Sequence, residues 1–258
     1  MILSLGEATW EQVRDLDRAR AVVILPVGAT EAHGPHLPLE TDGIISESMA
    51  WAAAARLSDE GVPAVILPTF AYTSADFARE FPGTISVSPA TVTALVLDVA
   101  RELKRQGFRM LALANAHLDP GHLASLDAAA NACREEKGIA LVFPNLTRRP
   151  WGARLSDEFR SGACHAGQFE TSIVLASRPD LVRESARSQL PENPSSLSDA
   201  IRAGKKSFLE ANGSRAYFGN PGAATSREGE ATIETLGAIL ADAVREATAS
   251  LDPPRDFA

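Results

Sequence analysis

Short apolar, β-branched runs alternate with stretches of helical periodicity through the first half of this chain, and that alternation restricts the fold more than any other feature. Ala21 to Val27, Ala64 to Leu67, Arg109 to Ala114 and Ile139 to Phe143 read as strands. Between them, Ile44 to Leu57 is an alanine-rich helix ending before Gly61. Behind Pro89, Val92, Leu95, Val96, Val99, Ala100 and Leu103 recur at three and four residues, and Gly121 to Glu136 is again alanine-rich. Strands joined through helices pair in parallel, and apolar strands of this kind need cover on both faces. The expected fold is therefore α/β, a single domain over residues 1–258 in three α/β/α layers around a mostly parallel sheet.

The remaining segments fill in around that frame. A short helix over 8–19, with Trp10, Val13 and Leu16 on one face, precedes the first strand. Glu170 opens a helical stretch through Ile173 to Ala176 that Pro179 stops, and a further helix is expected from about Ser198 to Leu209. The last helix, Glu228 to Ala247, carries Leu236, Ile239, Leu240, Ala243 and Val244 on one stripe, and a tail begins near residue 251. Thr69 to Ser86 and Pro144 to Gly162 have no regular pattern. Irregular stretches of that length in a compact domain go with a site or an interface.

The first strand breaks at Pro26 and Gly28 and hands over to a loop holding Glu31, His33, His36 and Asp42. Imidazole and carboxylate are ligands for zinc, manganese and iron alike, and an aspartate with two oxygens can bridge two ions. In extended backbone the i, i+2 spacing of Glu31 and His33 points both side chains to one side. The chain has five histidines, and the other three are His117, His122 and His165. Three segments can thus converge at one end of the sheet, and in open α/β sheets ligands sit outside the carboxyl ends of the strands. The bland alternative is a polar loop whose histidines and carboxylates only hydrogen-bond.

Composition removes other classes of function. A formal charge of −8 argues against a nucleic-acid partner, because binding phosphates needs a basic patch. No apolar run reaches the roughly 18 residues of a membrane span. The N-terminus, Met1-Ile-Leu-Ser-Leu-Gly-Glu7, has no basic region of the secretory type, so a cytoplasmic protein is expected. Cys133 and Cys164 make no disulfide framework there.

Pro26-Val-Gly, Glu31-Ala-His33-Gly-Pro-His36-Leu-Pro and Thr41-Asp42 together resemble the signature of the creatininase (creatinine amidohydrolase) family. Phe81-Pro-Gly-Thr-Ile-Ser86, Asn115-Ala-His117, His165-Ala-Gly-Gln-Phe-Glu170-Thr-Ser and Phe218-Gly-Asn-Pro-Gly follow in that family's order, so the resemblance runs from about Ala21 to Ala247. It implies two divalent ions, zinc or manganese with iron as a further option. Glu31, Asp42 and His117 would hold one, and His33, Asp42 and Glu170 the other, with Asp42 as the bridge. It also implies hydrolysis of an amide or cyclic-amide C–N bond in a small molecule, such as a creatinine-like lactam or a formamide. Two ions lower the pKa of a shared water, so that hydroxide is available at neutral pH.

His165 has the pKa class of a proton carrier and is expected to protonate the leaving nitrogen. Ser74, in a segment that resembles the family's substrate loop, and Trp151 are the expected substrate contacts. Asp119 stands where creatininase has a Glu near the metal, and is read as a proton acceptor or a ligand through water; the alternative is a helix N-cap ahead of Pro120. His36 is assigned to loop structure or to a supporting place behind the ligands, and His122 to a cap or the surface. Arg148 and Arg149 suit a phosphate or carboxylate on a larger substrate, or are merely solvated. The family also contains a peptidase and a deformylase that act on cofactor precursors, and a silent metal binder is the remaining alternative. A homo-oligomer, a hexamer by the same resemblance, is expected.

Overall fold

In the computed structural model, which describes residues 1–250, five strands lie in one sheet in the order β1-β3-β2-β4-β5. In chain order the main elements are β1 (Ile2–Ser4), α1 (Trp10–Arg14), β2 (Val22–Val27), α2 (Thr41–Asp59), β3 (Ala64–Ile66), α3 (Pro89–Arg105), β4 (Met110–Asn115), α4 (Pro120–Glu135), β5 (Ala140–Val142), α5 (Asp157–Ser161), α6 (Gln168–Ser177), α7 (Glu184–Arg187), α8 (Leu197–Arg202) and α9 (Ser226–Ala249). Every strand pairing is parallel. The expected three-layer α/β/α architecture is the one observed, and the tail from about residue 251 lies outside the described residues.

Period-2 alternation in the strands divides the core cleanly. Val22, Ile24, Ala64, Ile66, Met110, Ala112 and Ala114 point to one face, against Met49, Ala53 and Leu57 of α2 and Leu236, Ile239 and Leu240 of α9. Val23, Leu25, Val27, Val65, Leu111 and Leu113 point to the other, against Val92 and Val96 of α3 and Leu126 and Ala129 of α4. Each buried Val, Leu, Ile or Met among these contributes on the order of 1.5–3 kcal/mol, and each Ala less, so the two central strands β2 and β4 are firmly fixed. Their ends are level, with Val27 opposite Asn115.

That register sets the site. After β2 the chain crosses to β3 on one side, and after β4 to β5 on the other, so the crevice at their carboxyl ends is the point where the winding reverses. Gly28 lets the β2 exit press on the start of α2, since a Cβ there would lie 2.6 Å from the Gly43 nitrogen. Asp42 is thereby held beside the strand end. On the same side, α9 crosses α6 so closely that a Cβ on Gly229 would lie 1.8 Å from the Ser172 carbonyl oxygen.

Three expectations need correction. The N-terminal helix spans only Trp10–Arg14, opened by a Thr9/Gln12 capping box and ended at Asp15. Trp10 does not face the core; it is 71% exposed, with the Arg14 guanidinium 5.1 Å above its ring. The helix expected to reach Leu209 ends at Arg202, since Gly204 adopts φ +83° and turns the chain away. Finally, β1 at the sheet edge is an addition, too short at three residues to show a period. Among the described residues no helix is long and apolar enough to cross a membrane.

Candidate metal centre

Glu31 and His33 leave β2, His117 leaves β4, and Asp42 and Glu170 occupy the first turns of α2 and α6. All five are buried. The positive ends of two helices favour carboxylates at those first-turn positions.

Each imidazole is committed at one nitrogen. His33 Nδ1 lies 3.1 Å from the Glu31 carbonyl oxygen and His117 Nε2 lies 2.8 Å from the Ser74 carbonyl oxygen. A carbonyl only accepts, so these nitrogens carry a proton, and the opposite ones face the carboxylates, free to hold a second proton or, once it is lost, to give a lone pair to an ion. His33 Nε2 is 3.3 Å from Asp42 Oδ1 and 3.6 Å from Glu170 Oε2. His117 Nδ1 is 3.0 Å from Asp42 Oδ2 and 3.2 Å from Glu31 Oε1. The two oxygens of Asp42 therefore serve two different groups. Ligand atoms of Glu31, Asp42 and His117, and of His33, Asp42 and Glu170, come within 4.8 Å of one another in each set, and Glu31, His33 and His165 form a third.

Lone pairs aimed at carboxylate oxygens repel unless a proton or a cation lies between them. Glu31 Oε2, His33 Nε2 and Asp42 Oδ2 are buried and meet no hydrogen-bond partner, which is costly unless a further group satisfies them. The electrostatics agree. Burial, the largest influence, disfavours a charged His33, but Asp42, Glu170 and Glu31 outweigh it and lift the ring to about 10. His117 is raised well above its usual value in the same way, against burial, by Glu31 and Asp42. Burial would raise Asp42, yet His33 and His117 hold it well below the carboxylate range. Glu170 is pushed up to about 8 by burial, opposed by His33 and reinforced by Asp42. Such a donor set, rich in buried carboxylate and imidazole, fits divalent ions of the zinc or manganese kind.

His165 donates from Nε2 to the Ala32 carbonyl at 2.9 Å, which turns Nδ1 toward Glu31 Oε1 at 3.8 Å. Burial and the nearby His33 charge push it well below the ordinary imidazole value, so it is neutral. Its neighbour Ala166 takes φ +52° and donates its N–H to Glu170 Oε2 at 2.6 Å. A non-glycine residue held there costs on the order of 1 kcal/mol, and the bend it produces turns the chain from His165 into α6. His165 and the acidic floor open into a cavity of about 420 Å³, within the range of small-ligand sites.

The other expected site residues stand differently. Asp119 borders the cavity, but Oδ1 accepts from the backbone of Gly121 at 2.8 Å and His122 at 3.3 Å, and Oδ2 from Phe77 at 3.2 Å. Its oxygens are engaged as the N-cap of α4. Ser74 is wholly buried and supports His117 through its main chain, and its hydroxyl does not border the cavity. Trp151 packs partly buried on the apolar core, while its neighbours Arg148, Arg149 and Gly152 border the cavity instead. The substrate contacts expected at Ser74 and Trp151 thus find no support in their positions.

His122 is not a surface histidine. It is completely buried, and Nε2 donates to Asn115 Oδ1 at 2.8 Å, while the Asn115 amide donates to the His117 carbonyl at 2.7 Å. His36 is likewise buried against Thr171 Oγ1 at 2.9 Å, and burial followed by the His33 charge lowers it to about 4. Cys164, raised to about 12 by burial and by Glu170 and Glu158, is an unreactive thiol in the wall.

One functional residue escaped sequence reading. Glu158 of α5 accepts from the backbone of Phe169 at 2.7 Å and Asn220 at 2.8 Å, tying the Glu170 helix to the loop that follows Phe218. α6 begins at Gly167 without a side-chain cap of its own. The missing cap is the one signal that an acceptor must arrive from elsewhere.

The family model described as creatininase (creatinine amidohydrolase) matches residues 6–244. The chain is 31% identical to a creatinine amidohydrolase from Pseudomonas putida over 69% of this chain and 73% of that protein. It is 30% identical to a mycofactocin precursor peptide peptidase from Mycobacterium tuberculosis over 97% of this chain and 92% of the relative. A creatininase variant complexed with creatine superposes with a TM-score of 0.69 at 26% identity, covering 98% of this chain and 100% of that one. A structure described as creatininase Mn gives 0.67 at 26% identity, over 95% and 98%.

Proposed function

The chain belongs to the creatininase (creatinine amidohydrolase) family, and from that footing we propose that it hydrolyses an amide-type C–N bond with the help of two divalent ions. The observation that carries this reading is the convergence of Glu31, His33, Asp42, His117 and Glu170 with Asp42 shared, all but the fully buried His33 lining one cavity. Glu31, Asp42 and His117 would hold one ion, and His33, Asp42 and Glu170 the other. When bound, the pair supplies Lewis-acid polarisation of a carbonyl and a water acidic enough to ionise near neutral pH. A manganese form among the similar solved structures supports ions of this class.

The protein's own groups supply the rest. His165, neutral and fixed at Nε2, can take a proton at Nδ1 and give it to the departing nitrogen. Ala116, Leu118 and Phe208 line the cavity and keep bulk water from the reacting bond. Asp119 would act on His165 and the ions only indirectly, by holding α4 in place.

The substrate we propose is larger than a lone lactam ring. The cavity measures about 420 Å³, and among the described residues no tryptophan lines it. A short peptide or formamide-bearing molecule fits better than creatinine, and the relative matched over nearly the whole chain is a peptide peptidase. The test is metal analysis of the purified protein, then a panel of cyclic amides, formamides and short peptides. About two ions per chain and turnover of at least one class are expected, with Glu31→Gln reducing kcat/KM by at least about 100-fold. Stoichiometric metal with a silent panel would favour a non-catalytic metal binder, and absence of bound metal would overturn the reading.

A further inference from the structure

The charged groups that border the cavity are segregated by sign. Its four carboxylates, Glu31, Asp42, Asp119 and Glu170, are buried at the floor. Among the described residues, the basic side chains at its rim are four arginines, Arg148, Arg149, Arg160 and Arg202, all exposed. They come from two separate segments, the stretch around β5, α5 and the loop between them, and the helix α8. Among the described residues no lysine borders the cavity. In a chain of net charge −8 with 25 basic residues in all, four guanidiniums around one opening are a local concentration of cation against the overall sign.

Their present partners are weak competitors. Arg148 pairs with Asp127 at 2.7 Å, Arg160 with Asp157 and Arg202 with Asp199, all of them solvent-exposed pairs, two of them between residues three apart on one helix. Pairs of this kind exchange readily for a better acceptor. Among the described residues Arg149 pairs with no carboxylate. Guanidinium, unlike ammonium, presents a planar fork that matches the oxygens of a carboxylate or phosphate.

Resting on the hydrolase reading above, we infer that the arginine rim recognises an oxyanion on the substrate, so that the molecule enters with its amide toward the acidic floor and its carboxylate or phosphate at the mouth. With the floor occupied by the ions and the reacting amide, the arginines are the cationic groups left to hold an oxyanion at the mouth. The rim thus sets orientation as well as class.

The test reads binding, so that it stands apart from turnover. Acetyl-Ala-Ala with a free C-terminus is titrated into the metal-loaded protein by calorimetry beside the same peptide with a C-terminal amide. Phenyl phosphate and inorganic phosphate form a second arm. At least about tenfold tighter binding of the free acid than the amide identifies a carboxylate substrate; the same preference for phenyl phosphate over the free acid identifies a phosphate. Either preference should weaken steeply with salt and fall about tenfold or more in the Arg149→Gln/Arg202→Gln double variant. That variant changes only exposed side chains, and unchanged metal content and melting temperature verify that it is folded. Equal binding of acid and amide with no phosphate response, or a preference that survives the double substitution, overturns the inference. Anion preference without hydrolysis of any panel member overturns the hydrolase reading alone; hydrolysis without anion preference overturns the rim alone.

Discussion

A histidine fixed at one nitrogen by a carbonyl has only the other to offer, and His33 and His117 both offer theirs to carboxylates. In the ion-free protein their raised affinities, His33 near 10 and His117 well above its normal value, keep them protonated at neutral pH, as Glu170 near 8 is protonated too. An ion must displace those protons. Calorimetric titration with zinc or manganese at pH 7 in buffers of different ionisation heat should therefore show about two to three protons released per fully loaded chain, with affinity rising as the pH is raised from 7 toward 10. A titration independent of buffer would contradict the assignment. Asp119 makes the opposite kind of case. Its oxygens cap α4 and hold Phe77, so Asp119→Ala is expected to lower stability by about 1–2 kcal/mol in denaturant unfolding with little change in bound metal. The expected ligand residues could be read because three of the five, Glu31, His33 and Asp42, fall within one short stretch. His122 was misread because its burial depends on the Asn115 side chain, which no spacing rule reports. Trp151 was misread because residue type says nothing about which side of a loop a ring takes.

At the level of elements, the crossing of α6 and α9 matters to the chemistry. Gly229 sits against the Ser172 carbonyl with no room for a methyl group, and α6 carries Glu170. Gly229→Ala should push the helices apart, cost on the order of 1–3 kcal/mol, and lower the occupancy of the ion that Glu170 would hold more than that of the other. Thermal unfolding with metal analysis checks both halves; a stable variant with full metal would show that α6 has more slack than the contact suggests. Long helices with a clear stripe, α3 and α9, were readable to within two residues at each end. α2 starts three residues earlier than its periodicity indicates, because Glu40 gives no side-chain cap to mark the turn. The lengths of α1 and α8 depended on local turns, at Asp15 and Gly204, that outweighed propensity.

Over the whole molecule, Leu39, Tyr72 and Ile85 are exposed at 39, 55 and 47%, on loops joined by the Ile85 to Thr30 backbone bond and the Thr30 hydroxyl to Ala71. Exposed apolar side chains on adjoining loops are what an association surface would present. The protein is expected to elute as a homo-oligomer in light-scattering chromatography, and Ile85→Asp to reduce its mass; a monomer at micromolar concentration would refute this. The parallel sheet was legible as a whole because strand and helix patterns alternate in the sequence, but the order of its strands was not, since periodicity carries no information about neighbours. That order has a kinetic meaning. β2 and β4 adjoin although α2, β3 and α3 lie between them in the chain, and α6 arrives later still. The acidic pocket exists only when all of these pieces have met, so cations that favour it should act as a latch on the finished molecule, retarding its opening far more than hastening its formation.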